Sequence, residues 1–297
     1  MAARILVSLL AETQEYQMMQ ADDGRAAAQR SGLEAEVVFC SNNPATQHRQ
    51  ILTALQLPEG RRPVAVILQP SAVVGFDALA RSAVEAGVGW IVLDAAPYLD
   101  GLRREFPGKA LALVAADNRE MGRLMGKLIR TLLPRGGRAV HLEGPSLIST
   151  VVHRRSGMLE GLDGSGVEIT KTLAGDWSEA SGEKAITFWL KLGSRKERPD
   201  LVVAQNDSMA AGAHRAVHAL RPEWGEIAFT GYDGLPNGGQ RLVREGVLAG
   251  TVVQPTTLPT CVELVARSLR GEQVPPATLL APRTYPSLEE VALRGRK

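Results

Sequence analysis

Short apolar runs of strand length alternate with stretches of helical period along almost the whole chain. That alternation limits the fold more than any other feature of the sequence. Ile5–Leu10 reads as a strand and Met18–Arg30 as a helix, with apolar and small residues recurring at helical spacing. Strand-like runs follow at Glu36–Cys40, Val64–Leu68 and Trp90–Asp94. Between them lie helical stretches at Ala45–Leu57, with Ile51, Leu52 and Leu55 on one face, and at Phe76–Ala86, closed by Gly87. Strand, helix and strand in this order form right-handed parallel βαβ units, whose sheet is covered on both faces.

The rhythm then restarts. Strands are predicted at Leu111–Ala115, Ala139–Leu142, Glu168–Leu173, Leu201–Ala204 and Ile227–Thr230. The intervening helices are Arg119–Leu133, Arg154–Leu162, Glu179–Leu192 and Ser208–Leu220. A strand at Val247–Val253, a helix at Thr257–Arg270 and a Pro-rich tail end the chain. The expected fold is α/β, with two similar three-layer αβα lobes built on parallel sheets. A length of 297 residues suits two domains of roughly 150. The expected lobes are residues 1–116 with 255–281, and 117–254 with 282–297, because the helix left over after the second set of units fits a chain that crosses back. A single closed eight-fold barrel is the rival architecture; uneven unit lengths and the broken rhythm at the end weigh against it.

Composition removes several function classes. With 34 Lys and Arg against 32 Asp and Glu, the net charge is only +2, so neither nucleic acid nor an anionic membrane is the expected partner. Aromatic residues make up 4%, which leaves a core of Ala, Val, Leu and Ile. Cys40 and Cys261 lie far apart with no CxxC, so no zinc knuckle, iron–sulfur cluster or disulfide framework organises the fold. Two buried thiols are expected, with one bridge as the alternative. No run reaches the roughly 20 apolar residues that span a bilayer. The start, MAARILVSLLAETQEYQ, lacks the longer apolar region and cleavage site of an export signal, so the chain as written is expected to remain in the cytoplasm.

The spacings that carry catalysis are missing. There is no GxxxxGK[ST], no GxGxxG after the first strand, no HExxH and no GxSxG. GLDGSG at 161–166 follows a helix and reads as a turn. His214 and His218 stand one helical turn apart, but no carboxylate nearby completes a metal site, so both are expected to be solvated flank residues. No enzyme, cofactor or metal is expected. Polar residues instead gather just beyond the carboxyl ends of strands, where ligands bind in open α/β sheets. Asp94 follows one strand, Asn206 and Asp207 a second, Asp233 a third, and Gln254 a fourth. Each has a plainer reading: Asn206 or Asp207 as a helix cap, Asp233-Gly234 as a turn, and Trp177 as core.

Six segments, AQNDSMAAGAHRA, FTGYDGLPNG, LAGTVVQ, IVLDA, AADNREMGRLMG and HRRSGMLEGL, stand in an order and spacing that resembles the type I periplasmic binding proteins of the ribose- and galactose-binding class. These share their fold with the sensor domains of lactose-repressor-type regulators. The resemblance implies two lobes joined by a three-strand hinge, closing over one ligand. It assigns Asp94, Asn206, Asp233 and Gln254 to hydrogen bonds with sugar hydroxyls, and Trp177 to the apolar face of the sugar ring. It also assigns Glu15, Tyr16 and Met18, on the first loop, to ligand contact. The implied protein is a monomeric periplasmic or cell-envelope solute-binding protein that delivers a sugar or polyol to an ABC permease or a membrane receptor. The alternative is a cytoplasmic ligand-sensing module without a DNA-binding headpiece, since the first strand begins by Ile5. A hydride-transfer enzyme is the third and weakest reading.

Two departures bear on the ligand. Ribose-type members carry an Arg after the fourth-strand aspartate and another two residues before Arg154; this chain has Ala95 and Val152 there. A carboxylate-lined site without a cation is expected to prefer polyols or amino-substituted sugars over acidic sugars and sugar phosphates. The rival expectation is that Arg154 or Arg119 restores the balance. Asp233→Ala and Asn206→Ala are expected to abolish binding with little loss of stability.

Overall fold

The computed structural model describes residues 2–72, 74–93, 96–146, 148–192, 198–225 and 227–294. The chain divides into two compact units, 1–116 with 256–280, and 117–255 with 281–297.

The first unit runs β1 (Ala3–Leu9), α1 (Glu15–Arg30), β2 (Leu33–Phe39), α2 (Pro44–Leu55), β3 (Ala65–Leu68), α3 (Asp77–Glu85), β4 (Gly89–Leu93), α4 (Leu99–Glu105) and β5 (Leu111–Ala116). The second holds α5 (Asn118–Leu132), β6 (Gly137–Glu143), α6 (Ser149–Leu162), β7 (Val167–Ala174), α7 (Glu179–Leu192), β8 (Leu201–Ala204), α8 (Asp207–Leu220), β9 (Ala228–Asp233), α9 (Gly239–Arg244) and β10 (Gly250–Val253). The chain then returns to the first unit for α10 (Leu258–Leu269) and β11 (Ala277–Leu280), and ends in the second with β12 (Arg283–Tyr285) and α11 (Leu288–Arg294).

Each unit is built on one six-stranded sheet. The first has the order β11-β5-β4-β3-β1-β2 and is parallel throughout. The second has the order β12-β10-β9-β8-β6-β7, with β12 alone antiparallel. Two separate open sheets rule out the closed barrel. In the first unit Ile5, Val7, Leu9, Ile91 and Val114 face α1 and α10, while Leu6, Val66, Leu68, Trp90 and Val92 face α2, α3 and α4. Burial on both faces is why these strands read as unbroken apolar runs. Burying each such side chain is worth about 1.5–3 kcal/mol.

α1 begins at Glu15, so Glu15, Tyr16 and Met18 occupy its first turn; the sequence had suggested a loop there. The buried side chain of Gln20 ties α1 to α10. Its Oε1 accepts from the Thr257 and Leu258 amides at 2.8 and 3.1 Å, satisfying donors that a helix start otherwise leaves open. Its Nε2 donates to Thr257 Oγ1 at 2.8 Å and to the Tyr16 hydroxyl at 3.2 Å.

Two short helices, α4 and α9, were not expected, and the Pro-rich tail supplies β11, β12 and α11. β11 alternates between exposed and half-buried residues, so it carries little apolar signal; it exists because β5 offers it an open edge. Cys40 and Cys261 are both buried free thiols. Residues 163–166 form a turn and bend after α6, as GLDGSG implied.

Candidate functional site

The carboxyl ends of β6, β8, β9 and β10 in the second unit carry its concentrated polar chemistry. Asn206 leaves β8 in extended conformation and caps α8, its Oδ1 accepting from the Met209 amide at 2.9 Å. Its Nδ2 donates to the Trp177 carbonyl at 2.8 Å. The cap and the strand-end position are thus one residue's work. Asn206→Ala is therefore expected to cost about 1 kcal/mol in stability, contrary to the small loss expected from sequence. Urea unfolding measures that cost directly.

Trp177 is half-buried against the core of the second unit, and its backbone stands at φ +75°. Its ring lies so close to Gly144 that a Cβ there would stand 2.3 Å from a ring carbon, which is why position 144 lacks a side chain. Asp233 ends β9 at φ +95°, followed by Gly234 at φ +57°. Its carbonyl accepts from the Gln254 amide at 3.0 Å.

One guanidinium organises these strand ends. Arg154, on α6, is only 3% exposed. Its Nε donates to Asn118 Oδ1 at 3.1 Å, and Nη1 donates to the Gln205 carbonyl at 2.8 Å and to Asp233 Oδ1 at 3.4 Å. Nη2 donates to Gln254 Oε1 at 2.8 Å and faces Met121 Sδ at 3.9 Å. The group lies over the Tyr232 ring, 4.9 Å from its centroid. Burial raises the Asp233 carboxyl above its ordinary range, and Arg154 opposes that shift. The expectation of a carboxylate site without a cation is therefore overturned. Arg119, the other candidate, pairs with Glu160 instead. Arg154 keeps none of its N–H groups for an incoming anion, because its fork is spent on protein acceptors. Among the described residues no donor reaches Asp233 Oδ2, and the side chain remains 34% exposed.

Gln205 carries no expectation from the sequence, Asp207 only that of a strand-end residue or helix cap, and Arg154 only the rival one of a cation for the site. Gln205, fully buried, accepts from the Gly144 amide at 3.3 Å and donates to the Val151 carbonyl at 3.1 Å, joining the exit of β6 to the start of α6. A signal for the placement of Arg154 was present as two GxxxG spacings, Gly122/Gly126 on α5 and Gly157/Gly161 on α6. A Cβ at Gly157 would stand 2.0 Å from the Arg119 carbonyl oxygen, and one at Gly122 would stand 2.3 Å from that of Arg154. The two helices therefore touch backbone to backbone, and that contact sets α6 against the sheet.

Glu15, Tyr16 and Met18 belong to the first unit, on α1, and Met18 is exposed. Asp94 and Ala95 lie outside the described residues. Among the described residues no group of three or more His, Cys, Asp or Glu could hold a metal ion, and no helix is long and apolar enough to cross a membrane. His214 is half-buried, with its ring 5.1 Å from that of Phe229 and 4.1 Å from that of His218, so it packs on the core where a solvated flank was expected.

A buried His–Glu pair, joined by the half-exposed Arg155, lies beside the site. His141 Nδ1 stands 3.5 Å from Glu143 Oε1, and Arg155 donates to the same carboxylate at 3.3 Å. Burial, with a smaller push from Arg155, lowers the His141 pKa to about 3. The unfolded chain takes up this proton below an ordinary histidine pKa of about 6.5 and the folded chain does not, so this stabilising contribution is complete above that pH and is lost as pH falls toward 3. The slope is at most about 1.4 kcal/mol per pH unit. Thermal unfolding at pH 4.5 and 7.5 should show a smaller acid loss in His141→Gln than in the parent protein.

The family model described as a periplasmic binding protein domain matches residues 5–273. The ribose import binding protein RbsB of Escherichia coli (strain K12) is 25% identical over 257 residues, 85% of this chain and 80% of that protein. A periplasmic solute binding protein of an ABC transporter from Actinobacillus succinogenes 130z, solved with bound D-allose, superposes with a TM-score of 0.80 at 19% identity, over 97% of this chain and 99% of that one. An ABC transporter solute binding protein from Bacillus halodurans C-125, solved with bound myo-inositol, gives a TM-score of 0.77 at 21% identity, over 99% and 98% of the two chains.

Proposed function

Since the chain belongs to the periplasmic binding protein family, we infer that it is a solute-binding protein for a sugar or related polyol, serving ABC-type transport or a membrane receptor. The observation that carries this reading is the cluster of Trp177, Asn206, Asp233 and Gln254 at adjoining strand ends, three of them linked directly by side-chain bonds to Arg154 or to the Trp177 backbone. An indole, a half-open carboxylate and amide groups supply what a polyhydroxylated ring needs: an apolar surface and paired donors and acceptors. On the family resemblance alone, Glu15, Tyr16, Met18 and Asp94 are further proposed ligand contacts. The ribose, D-allose and myo-inositol named for the relatives are all neutral polyols, in keeping with a site whose one buried guanidinium is fully engaged.

Titration calorimetry with ribose, D-allose, myo-inositol, glucosamine and glucose 6-phosphate tests the reading. At least one neutral or amino compound is expected to bind with a Kd of about 10 μM or tighter, and the phosphate is expected not to bind. Tight binding of the phosphate alone would overturn it, because that requires a guanidinium with free donors.

A further inference from the structure

Asp207 follows Asn206 directly, yet the two face different tasks. Its carboxyl is buried behind the strand ends, 5% exposed as a residue. Oδ2 accepts from the Gly234 amide at 2.7 Å, and Oδ1 accepts from the Thr251 hydroxyl at 2.7 Å. These bonds connect the start of α8 to the turn after β9 and to β10. Two glycines make room for the group: a Cβ at Gly239 would stand 1.9 Å from Oδ2, and one at Gly231 would stand 2.3 Å from Oδ1. Two of the four glycines of FTGYDGLPNGG, Gly231 and Gly239, thus have a physical reason in this carboxyl.

The turn it holds is the one that presents Asp233. Asp233 and Gly234 both have positive φ, at +95° and +57°. A non-glycine residue in that region persists only where its surroundings over-determine it. Four bonds do so here. The Asp233 carbonyl accepts from the Gln254 amide, the Asp233 carboxylate from Arg154, the Gly234 carbonyl from Gln240 Nε2 at 2.7 Å, and the Gly234 amide donates to Asp207.

We propose that Asp207 is a positioning residue for ligand binding, its buried carboxyl holding the Asp233–Gly234 turn in the conformation that presents the Asp233 carboxylate. The proposal rests on Asp233 being a ligand contact, as argued above. The charged groups facing Asp207 are Asp233 from β9 and Arg154 from α6. Burial first, and then Asp233, push its carboxyl well above the ordinary carboxylate range, against the pull of Thr251, Gly234 and Arg154. A neutral acid or an amide keeps both bonds when its carbonyl oxygen accepts from the Gly234 amide and its O–H or N–H donates to the Thr251 hydroxyl oxygen. Because the folded-state pKa is raised, this group's contribution to stability is complete below the ordinary value and declines as pH rises above about 4. Asp207→Asn removes that decline.

The test compares the parent protein with Asp207→Asn, Asp207→Ala and Thr251→Val. It reads calorimetric affinity for ribose, D-allose and myo-inositol, hydrogen exchange of the Gly234 amide by NMR, and the unfolding temperature at pH 4 and 7. Asp207→Asn is expected to keep Gly234 protection and to hold affinity within about threefold, with a stability advantage over the parent that grows from pH 4 to pH 7. Asp207→Ala is expected to bind at least about tenfold more weakly and to lose Gly234 protection, with Thr251→Val intermediate. A folded Asp207→Ala protein with parental affinity and parental Gly234 protection would overturn the proposal. Should that variant not fold, the other two decide: lost affinity in Asp207→Asn, or none lost in Thr251→Val, overturns it. If none of the three polyols binds the parent, the sugar reading fails, and Gly234 exchange still reports whether Asp207 holds the turn.

Discussion

Arg154→Met is expected to destabilise the second unit by about 3–5 kcal/mol and to abolish ligand binding, because it removes a buried cation and leaves several acceptors around it unpaired, at about 1–3 kcal/mol each. Methionine fills much of the same volume, so the loss reports the guanidinium and not a cavity. The Asp233 carboxylate would lose its side-chain partner among the described residues, and the Gln205 carbonyl and Gln254 Oε1 would lose donors now at 2.8 Å. Arg154→Lys is expected to restore less than half of the loss. An ammonium group is a compact point donor and does not span acceptors on α5, on β9 and just beyond β8 and β10 as a planar fork does. Adding Asp233→Asn to Arg154→Met should recover part of the stability but none of the binding. Guanidinium-chloride unfolding of the parent, Arg154→Met, Asp233→Asn and the double variant measures the coupling. A shift below about 1 kcal/mol for Arg154→Met would place this residue among the ordinary surface charges.

Gly157→Val has the second large effect, in the range of about 3 kcal/mol or more, and it should reduce binding as well. The neighbours that a side chain would meet are backbone atoms: the Arg119 carbonyl oxygen at 2.0 Å and the Arg123 amide nitrogen at 3.0 Å. Neither can turn aside as a flexible side chain would, so α6 must move away from α5 and carry Arg154 with it. Gly101→Ala is the control. Nothing lies within 4 Å of its Cβ position on α4, and φ there is ordinary, so alanine should be neutral or stabilise by up to about 1 kcal/mol. If Gly157→Val unfolds at the parent's denaturant midpoint, the close helix contact does not exist in solution.

The elements that the sequence made legible are those whose burial is one-sided along a helix or complete along a strand. α7 and β8 begin and end at the residues that periodicity alone indicated, Glu179–Leu192 and Leu201–Ala204. A strand covered on both faces leaves an unbroken apolar run, and an amphipathic helix leaves a repeat, so both can be read without knowing what packs against them. β11 and β12 escape that logic, because edge strands of three or four residues are half exposed and owe their form to a neighbouring edge that the local sequence does not contain.

The candidate site divides along the same line. Polar residues after strand ends could be recognised in sequence because the ends of β8, β9 and β10 were themselves recognisable. The fate of each polar residue could not. Arg154 and Arg155 are adjacent and chemically identical, yet Arg154 is buried while the Arg155 side chain is 43% exposed. The polar partners of Arg154 lie 36, 51, 79 and 100 positions away. The sequence by itself determined the α/β class, the layered arrangement of helices on parallel strands and the strand ends where ligand chemistry gathers, since these follow from local periodicity and hydrophobic burial. Only the tertiary structure decided that Asn206 caps a helix, that Asp207 supports a turn from beneath, and that one guanidinium is consumed in joining four elements. The energy of a buried charge depends on the partners that surround it, and those partners meet only when the chain has folded.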